Sequence, residues 1–191
     1  MTITDIFNRA LAMIGHDRYV VAGVTTSTEY IRCNLEWDGA RLAILSAHDW
    51  NWLAQETPLM QGAESLDDFS NALEYVYDRP DGIIRLIGVY DGASRRVAYR
   101  TANGSIYAVL DEVKFRYLID SEVPDDWPAH VVDAVCAELA SRIALPMSAN
   151  GKVVQAMKQL QGINLAKAIE HDAGEQNRSG SSGTKYADSR R

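Results

Sequence analysis

The sequence predicts an α+β fold, built as a four-helix unit with an inserted small antiparallel β-sheet and an extended C-terminal tail. Apolar residues recur at helical spacing near both ends of the 191-residue chain. Between about residues 50 and 120, β-branched and aromatic runs alternate with turn residues. The last twenty residues hold three glycines and four serines. We therefore expect a single domain over residues 1–173 and a flexible tail over residues 174–191.

Two helices are expected at the N-terminal end, over about residues 3–14 and 28–48. For the first helix, Thr2 or Thr4 can cap the start, and Gly15 occupies the position of a helix-ending glycine. The second helix carries an apolar stripe that we expect to be buried, formed by Ile31, Leu35, Leu42 and Leu45 and widened by Tyr30, Trp37 and Ile44.

The insertion is expected to form the small antiparallel sheet. Asn103 and Gly104 lie between two apolar runs, which is the sequence signal of a two-residue hairpin. Residues 61–72 are polar and are expected to form a loop, with strands from about residue 73 to residue 120. The last strand predicts one buried face and one largely wet face, because Val113, Phe115, Tyr117 and Ile119 alternate with Lys114, Arg116 and Leu118.

Two further helices are expected at about residues 128–145 and 150–172. Pro128 is suited to the first position of a helix, and Pro146 is expected to end that helix. The residues expected to face inward are Val131, Val132, Val135, Leu139 and Ile143 in the first of these helices, and Val153, Met157, Leu160, Ile163 and Ile169 in the second. The helices from the two ends of the chain are expected to pack on each other.

Known catalytic and metal-binding motifs are absent from the sequence. Cys33 and Cys136 are too far apart for a ligand pair and fall on apolar helix faces, so we expect them in the core. The histidines at positions 16, 48, 130 and 171 lack ligand spacing. We predict no catalytic residue, no metal site and no cofactor. An enzyme whose site is assembled from scattered acids and histidines stays open as an alternative.

The net charge and the hydropathy of the chain argue against two classes of binding partner, nucleic acids and membranes. The net charge of −7 argues against a dedicated nucleic-acid-binding protein, which usually carries a basic surplus. The aromatic cluster of Trp50, Trp52, Tyr75 and Tyr77 could stack bases, but a core role fits an acidic chain better. No run of about 18 apolar residues is present, so we expect no transmembrane helix.

Several short features of the chain occur in an order that matches a known family. They are Ala12-Met13-Ile14-Gly15, Trp50-Asn51-Trp52, Tyr75, Arg79-Pro80-Asp81, the run from Ile84 to Val89, Tyr117, Val123-Pro124, Trp127-Pro128 and the run from Leu139 to Ala144. With these features over about residues 3–145, the chain resembles the tail tubular protein A, or gatekeeper-like adaptor, family of tailed-bacteriophage head-to-tail connectors. Residues 146–171 match only as a helix.

The resemblance implies a structural virion protein without enzymatic activity. Such adaptors form a ring with copies of themselves, commonly of about twelve copies, between the portal protein and the next tail or nozzle protein. The ring extends the DNA channel, and DNA passes through its lumen without specific binding. The implied location is the neck of the virion, and the host cytoplasm during assembly, with no membrane partner.

Two groups of residues are candidates for contacts. The portal interface is expected in the tail, with Tyr186 as an aromatic anchor and the basic residues paired with portal carboxylates: Lys185, Arg190 and Arg191. A tail-side or inter-subunit contact is expected near the hairpin, at Arg95, Arg96 and Arg100. The alternative function is a non-viral interaction or regulatory module that docks through its C-terminal tail and forms no ring.

Overall fold

The computed structural model confirms the α+β class, with four α-helices and two antiparallel sheets in the residues that it describes. These are residues 1–66, 73–148 and 150–180, without the side chains of residues 65, 66, 73 and 176–180. The chain divides into two compact units. The helical unit comprises residues 1–51 and the chain from Ser121 onward, and the β unit comprises residues 52–120.

The helical unit is organised around its third helix. It contains α1 (Ile3–Met13), α2 (Thr28–Leu45), α3 (Ala129–Ser148) and α4 (Gly151–Gly180), with a 3-10 turn at Pro124–Asp126. α1, α2 and α4 all pack against α3. Eleven of the twenty residues of α3 are buried, including all five that the sequence predicted to face inward.

Local sequence signals set the beginnings of α1 and α2. The Thr2 hydroxyl accepts the backbone N–H of Asp5, whose carboxylate accepts the N–H of Thr2 in return, so α1 starts with a capping box. Gly15 follows the helix with φ +72° and donates its N–H to Ala12. The Ser27 hydroxyl accepts the N–H of Tyr30 at the start of α2. Of the predicted alternatives, Thr2 therefore caps the first helix.

The buried face of α2 differs from the predicted stripe. Ile31 and Leu35 are 54% and 70% exposed. The Trp37 ring lies edge-on to Phe7 at 5.7 Å and stacks on Trp127 at 6.1 Å. Both faces of α2 have helical apolar spacing, and the face with the large indole is the one that gains most from burial. The residues that turn inward are Cys33, Trp37, Ala40 and Ile44, with Leu45 at the helix end.

Three predictions for α3 and α4 were wrong. α3 continues past Pro146 to Ser148, because a proline in the last turn removes only one backbone hydrogen bond. Ile163 is 52% exposed rather than inward-facing, since the buried side of α4 runs through Ala168 and Asp172. α4 reaches Gly180, so residues 174–180 are helical and not part of a tail. Glutamate, glutamine and arginine at positions 175, 176 and 178 favour a helix without burial.

The β unit contains two sheets where the sequence predicted one. Its strands are β1 (Ala54–Glu56), β2 (Met60–Gln61), β3 (Ala63–Leu66), β4 (Leu73–Asp78), β5 (Ile83–Tyr90), β6 (Arg96–Val97), β7 (Tyr99–Ala102), β8 (Ser105–Ala108) and β9 (Glu112–Ile119). One sheet has the order β1-β9-β5-β6, with β2 also paired to β9, and the other has the order β3-β4-β8-β7.

Part of the loop expected at residues 61–72 is strand. β3 is the edge strand of the second sheet and pairs with β4, with Ala63 opposite Val76. An edge strand needs no continuous apolar pattern, which is why its polar sequence did not predict it. Residues 67–72 lie outside the described part of the chain.

Two short segments join the sheets into a closed set of strands. Only Gly62 separates β2, which pairs with β9, from β3, which pairs with β4. Only Ala98 separates β6, which pairs with β5, from β7, which pairs with β8. Strands that switch sheets at such bends make the corners of barrel-like sandwiches. The enclosed core includes Tyr77, Val89, Ile106, Val113 and Phe115.

The predicted hairpin at Asn103-Gly104 is confirmed. Both residues have positive φ, at 52° and 80°, as a type I′ turn requires. The turn joins β7 to β8, with Ala102 opposite Ser105.

The bend at Gly62 leads to the first testable prediction. A Cβ at this position would lie 2.6 Å from the Tyr77 ring and 2.8 Å from the Cβ of Tyr75. Gly62→Ala is therefore expected to destabilise the protein by about 1–3 kcal/mol, measured by urea unfolding. Gly92→Ala is the matched control, because a Cβ there meets nothing within 4 Å. Equal unfolding free energies for the two variants would show that the bend does not require glycine.

Candidate functional site

The two groups of candidate contact residues differ in what the structure describes of them. Lys185, Tyr186, Arg190 and Arg191 lie outside the described residues. The other three candidates are all on the β unit, where Arg95 precedes β6, Arg96 begins it and Arg100 lies on β7. Each of these arginines has a different partner.

Arg95 closes a tight turn after β5. The Asp91 carboxylate accepts the backbone N–H of Arg95 at 2.8 Å, the N–H of Ala93 at 2.9 Å and the Nε–H of Arg95 at 2.7 Å. The first of these bonds, and then the guanidinium, hold the pKa of Asp91 below its usual range. The Arg95 side chain is still 82% exposed. Its ion pair with Asp91 therefore stabilises the turn, while the side chain remains at the surface.

Arg100 is bound across its own sheet. Its guanidinium lies 4.0 Å above the Tyr107 ring on β8 and donates from Nε to Oε2 of Glu74, on β4, at 2.9 Å. Because β8 lies between β7 and β4, the side chain spans the middle strand to reach its carboxylate. A cation–π contact and an ion pair together make Arg100 a cross-strand support of the second sheet.

A groove opens in the β unit where two strands separate. β5 and β6 pair at only two positions, Val89 with Val97 and Tyr90 with Arg96. Beyond them the first half of β5 and the β7–β8 hairpin diverge around a cavity of about 350 Å³. Its walls are formed by Arg79, Ile83 to Leu86, and Thr101 to Ile106.

Two arginines hold the main chain of β5 beside the groove. Arg79 donates from Nη2 to the carbonyl of Ile83 at 3.0 Å, and Arg96 donates from Nη2 to the carbonyl of Ile87 at 3.3 Å. Both acceptors are neutral, so these bonds do not cancel the positive charges. Sequence reasoning proposed Arg96 as a contact residue but missed Arg79, which it named only among the features of the family resemblance. Arg79 lies in the connection between β4 and β5, and the conformation of that connection, which directs its side chain to the Ile83 carbonyl, is not visible in the sequence.

A buried carboxylate fixes the end of α4 within the helical unit. Asp172 is 1% exposed. It accepts the backbone N–H of Asn51 at 3.1 Å, the side-chain amide of Asn51 at 2.9 Å and Nε2 of His48 at 3.1 Å. His48 in turn lies edge-on to Trp50, whose indole N–H is donated to the carbonyl of Ile44. These bonds tie α4 to the segment that follows α2, eight residues before the last described residue of the helix.

The sequence analysis also considered cysteines, aromatic residues and histidines as candidates for catalysis or binding, and the structure describes the surroundings of several of them. Burial raises the pKa of Cys33 and of Cys136 to about 12, which keeps both thiols protonated and unreactive. Trp50 and Tyr77 are buried, which confirms the core interpretation for these two aromatic residues. His130 and His171, which the sequence left scattered, stack at 5.4 Å.

The described part of the chain contains no group of three or more His, Cys, Asp or Glu side chains arranged to hold a metal ion. None of its described helices combines the length and the apolar character needed to cross a membrane. No protein-family model matches the sequence, and no curated protein matches it significantly. The candidate site is therefore defined by geometry alone, as the groove of the β unit and the anchored end of α4.

The Asp172 anchor gives the second prediction. Asp172→Asn places an amide NH₂ against donors from Asn51 and is expected to cost about 1–3 kcal/mol of unfolding free energy. Hydrogen exchange should accelerate most in the last described turns of α4, which lose their attachment. The control is Glu175→Gln, one turn further along the same helix and exposed. If both variants behave like the unmodified protein, the buried carboxylate does not hold α4 in place.

Proposed function

We propose that this protein is a structural component of the virion of a tailed bacteriophage, a head-to-tail adaptor that forms an oligomeric ring between the portal and the tail. The observation that carries the proposal is the ordered set of features over about residues 3–145 by which the chain resembles the tail tubular protein A family. The proposed partners are further copies of this chain, the portal protein and the next tail protein. The proposed ring extends the DNA channel.

The positions of these features in the fold support the proposal. Trp50 is fully buried and is bonded to the end of α2, and Trp127 stacks on Trp37 just before α3. The features at residues 79–81 form the connection between β4 and β5. The features thus lie where helices and strands begin, end or connect, and a shared fold explains such positions better than a shared composition does.

Exposed apolar side chains are available for a ring. A cyclic ring with open faces needs a heterologous interface, in which one face of a subunit meets a different face of its neighbour. Ile31 and Leu35 lie on the outer side of α2, opposite its buried residues, and Ile163 is exposed on α4. Ile31 and Leu35 on α2, and Ile163 on α4, are thus exposed apolar positions on two different helices that such an interface can use.

The charge of the chain suits a channel for DNA. A subunit with a net charge of −7 gives an acidic ring, which has no electrostatic grip on the phosphate backbone as a whole. DNA can then pass through the lumen without specific binding. Neither catalysis nor a cofactor is part of the proposal.

The proposed portal contact is the tail that follows α4. Lys185, Arg190 and Arg191 give this segment a basic surplus, and Tyr186 is its only aromatic residue. We expect a segment of this composition to become ordered on a partner, with Tyr186 as an anchor and the basic groups bonded to carboxylates. The Asp172 anchor provides a fixed starting point for the tail.

Removal of the tail gives the third prediction. Deletion of residues 181–191 is expected to weaken binding to isolated portal rings by at least about tenfold, because Tyr186 and the basic groups are lost together. The helical unit should keep its unfolding free energy. Binding is measured by biolayer interferometry with the portal protein of the same virus.

A pair of substitution variants controls for the length of the tail. Replacement of Lys185, Tyr186, Arg190 and Arg191 by alanine should reproduce the loss, and replacement of Ser181, Ser182, Thr184 and Ser189 by alanine should not. Portal binding that survives the deletion would place the interface elsewhere on the chain. A full-length chain that never binds its portal would contradict the adaptor function itself.

A further inference from the structure

We infer that the exposed side of α2 in one copy of this chain packs against the exposed side of α4 in a second copy. The inference rests on the proposed function, because it names the two faces by which neighbouring subunits of the proposed ring meet. A contact between two different faces of the same chain is the heterologous contact that a ring needs.

The exposed side of α2 has the residue spacing of a helix–helix contact. Ile31, Leu35, Asp38 and Leu42 recur at intervals of four, three and four residues, and we call these four residues the α2 face. Apolar residues at this spacing form a seam that packs along a second helix. Ile31 and Leu35 are exposed, so no described helix of the same chain covers this seam.

The exposed side of α4 repeats the spacing with smaller side chains. Ala156, Gln159, Ile163 and Ala166 recur at intervals of three, four and three residues, and all four are exposed; we call them the α4 face. Its alanines let another helix approach closely, and Ile163 projects between them. Two α4 faces would bury little apolar surface against each other, whereas the larger side chains of the α2 face fill the space beside the alanines.

The two faces do not meet within one chain. α2 and α4 each pack on α3, and no extensive contact joins α2 to α4 among the described residues. Each face lies on the side of its helix that is exposed, so it is available at the surface of the helical unit. The α2 face of one copy can therefore meet the α4 face of another copy.

The charge of α4 favours an acidic partner surface. Between residues 151 and 169, α4 has three lysines and no acid. Two of them, Lys152 and Lys167, are exposed and lie beside the α4 face. The face is therefore basic along most of its length.

A segment of the chain outside the helices lies along α2 next to the α2 face. Arg41 on α2 donates to the Ser121 carbonyl at 3.1 Å, and Trp127 stacks on Trp37, one turn before Arg41. These two contacts hold the segment between Ser121 and Trp127 beside α2. Arg41 also donates to the carboxylate of Asp38 at 3.4 Å, so the charge of Asp38 is already compensated.

Two acids of this segment supply the charge that complements α4. Glu122 and Asp126 are exposed, and neither forms an ion pair within the described residues. Each helix also has one exposed residue of the other sign, Arg32 on α2 and Glu170 on α4. The surfaces beside the two faces are thus opposite in charge, which favours contact between them over contact of either face with itself.

The test traps the contact with cysteines in the full chain. Leu35→Cys and Ile163→Cys place one thiol on each face, at positions that are exposed. The native Cys33 and Cys136 are fully buried and do not react. The two variants are mixed at millimolar concentration with a short bismaleimide crosslinker, both free and on portal rings of the same virus. Products are counted on a denaturing gel.

The mixture should give a crosslinked dimer that contains one chain of each variant, whereas each variant alone should stay monomeric. A chain with both cysteines should give a ladder that continues past the dimer, because every subunit has two unlike reactive faces. Ile163→Cys mixed with Val109→Cys is the control, because Val109 is about as exposed but lies on the β unit.

Charge reversal tests the complementarity of the two faces. Lys152→Glu and Lys167→Glu, each added to Ile163→Cys, should lower the yield of the mixed dimer at least about fivefold, because each puts an acid opposite Glu122 and Asp126. Lys158→Glu is the matched control, because Lys158 is exposed but lies about 140° around the helix from Ile163. Far-ultraviolet circular dichroism verifies that each variant is folded.

A mixed dimer, a ladder and the losses in Lys152→Glu and Lys167→Glu together support the inference. Crosslinking of Leu35→Cys alone would mean that α2 meets α2, and it overturns the inference. Equal yields for all three lysine variants overturn the assignment by charge. Absence of the mixed dimer both from the free protein and from portal rings overturns the contact, while chains that still bind the portal keep the adaptor function. A mixed dimer from a chain that never binds its portal would support the contact and contradict the adaptor function.

Discussion

α3 has apolar residues on several sides, and helices from both ends of the chain pack on it and bury them. α1 and α2 come from before the β unit and α4 from after it, and all three pack on α3. Burial of this apolar surface is the main source of stability for the helical unit. Because the chain must leave this unit and return to it, the two ends of the β unit have to meet. The pairing of Ala54 with Leu118 brings them together.

The same constraint explains how far the sequence could predict the fold. Capping by Thr2, the helical face of α3 and the Asn103-Gly104 hairpin depend on neighbouring residues, and all three agree with the structure. The orientation of α2 depends on Trp127, ninety residues away from Trp37, so its local period could not determine it. The second sheet depends on the pairing of β4 with β8, in which Val76 lies opposite Tyr107, and composition does not encode a pairing between strands so far apart in sequence.

The candidate site, like the fold, could be predicted from the sequence only in part. Arg95, Arg96 and Arg100 were identified from the sequence as a small basic group, but their roles follow from partners that only the fold provides. Arg95 serves a turn and Arg100 a sheet, while Arg96 and Arg79 hold the edge of a groove. The proposed portal contact follows α4 in the helical unit, whereas these four arginines belong to the β unit.

The proposed adaptor function is tested most directly in native particles, because these contain the portal on which the proposed ring would assemble. Virions are purified through a density gradient, and this chain is quantified against the portal protein by mass spectrometry with labelled reference peptides. A neck component predicts a ratio near one to one that persists through the gradient. Absence of the chain from the particles would contradict the adaptor function and favour a non-viral interaction module that docks through its tail.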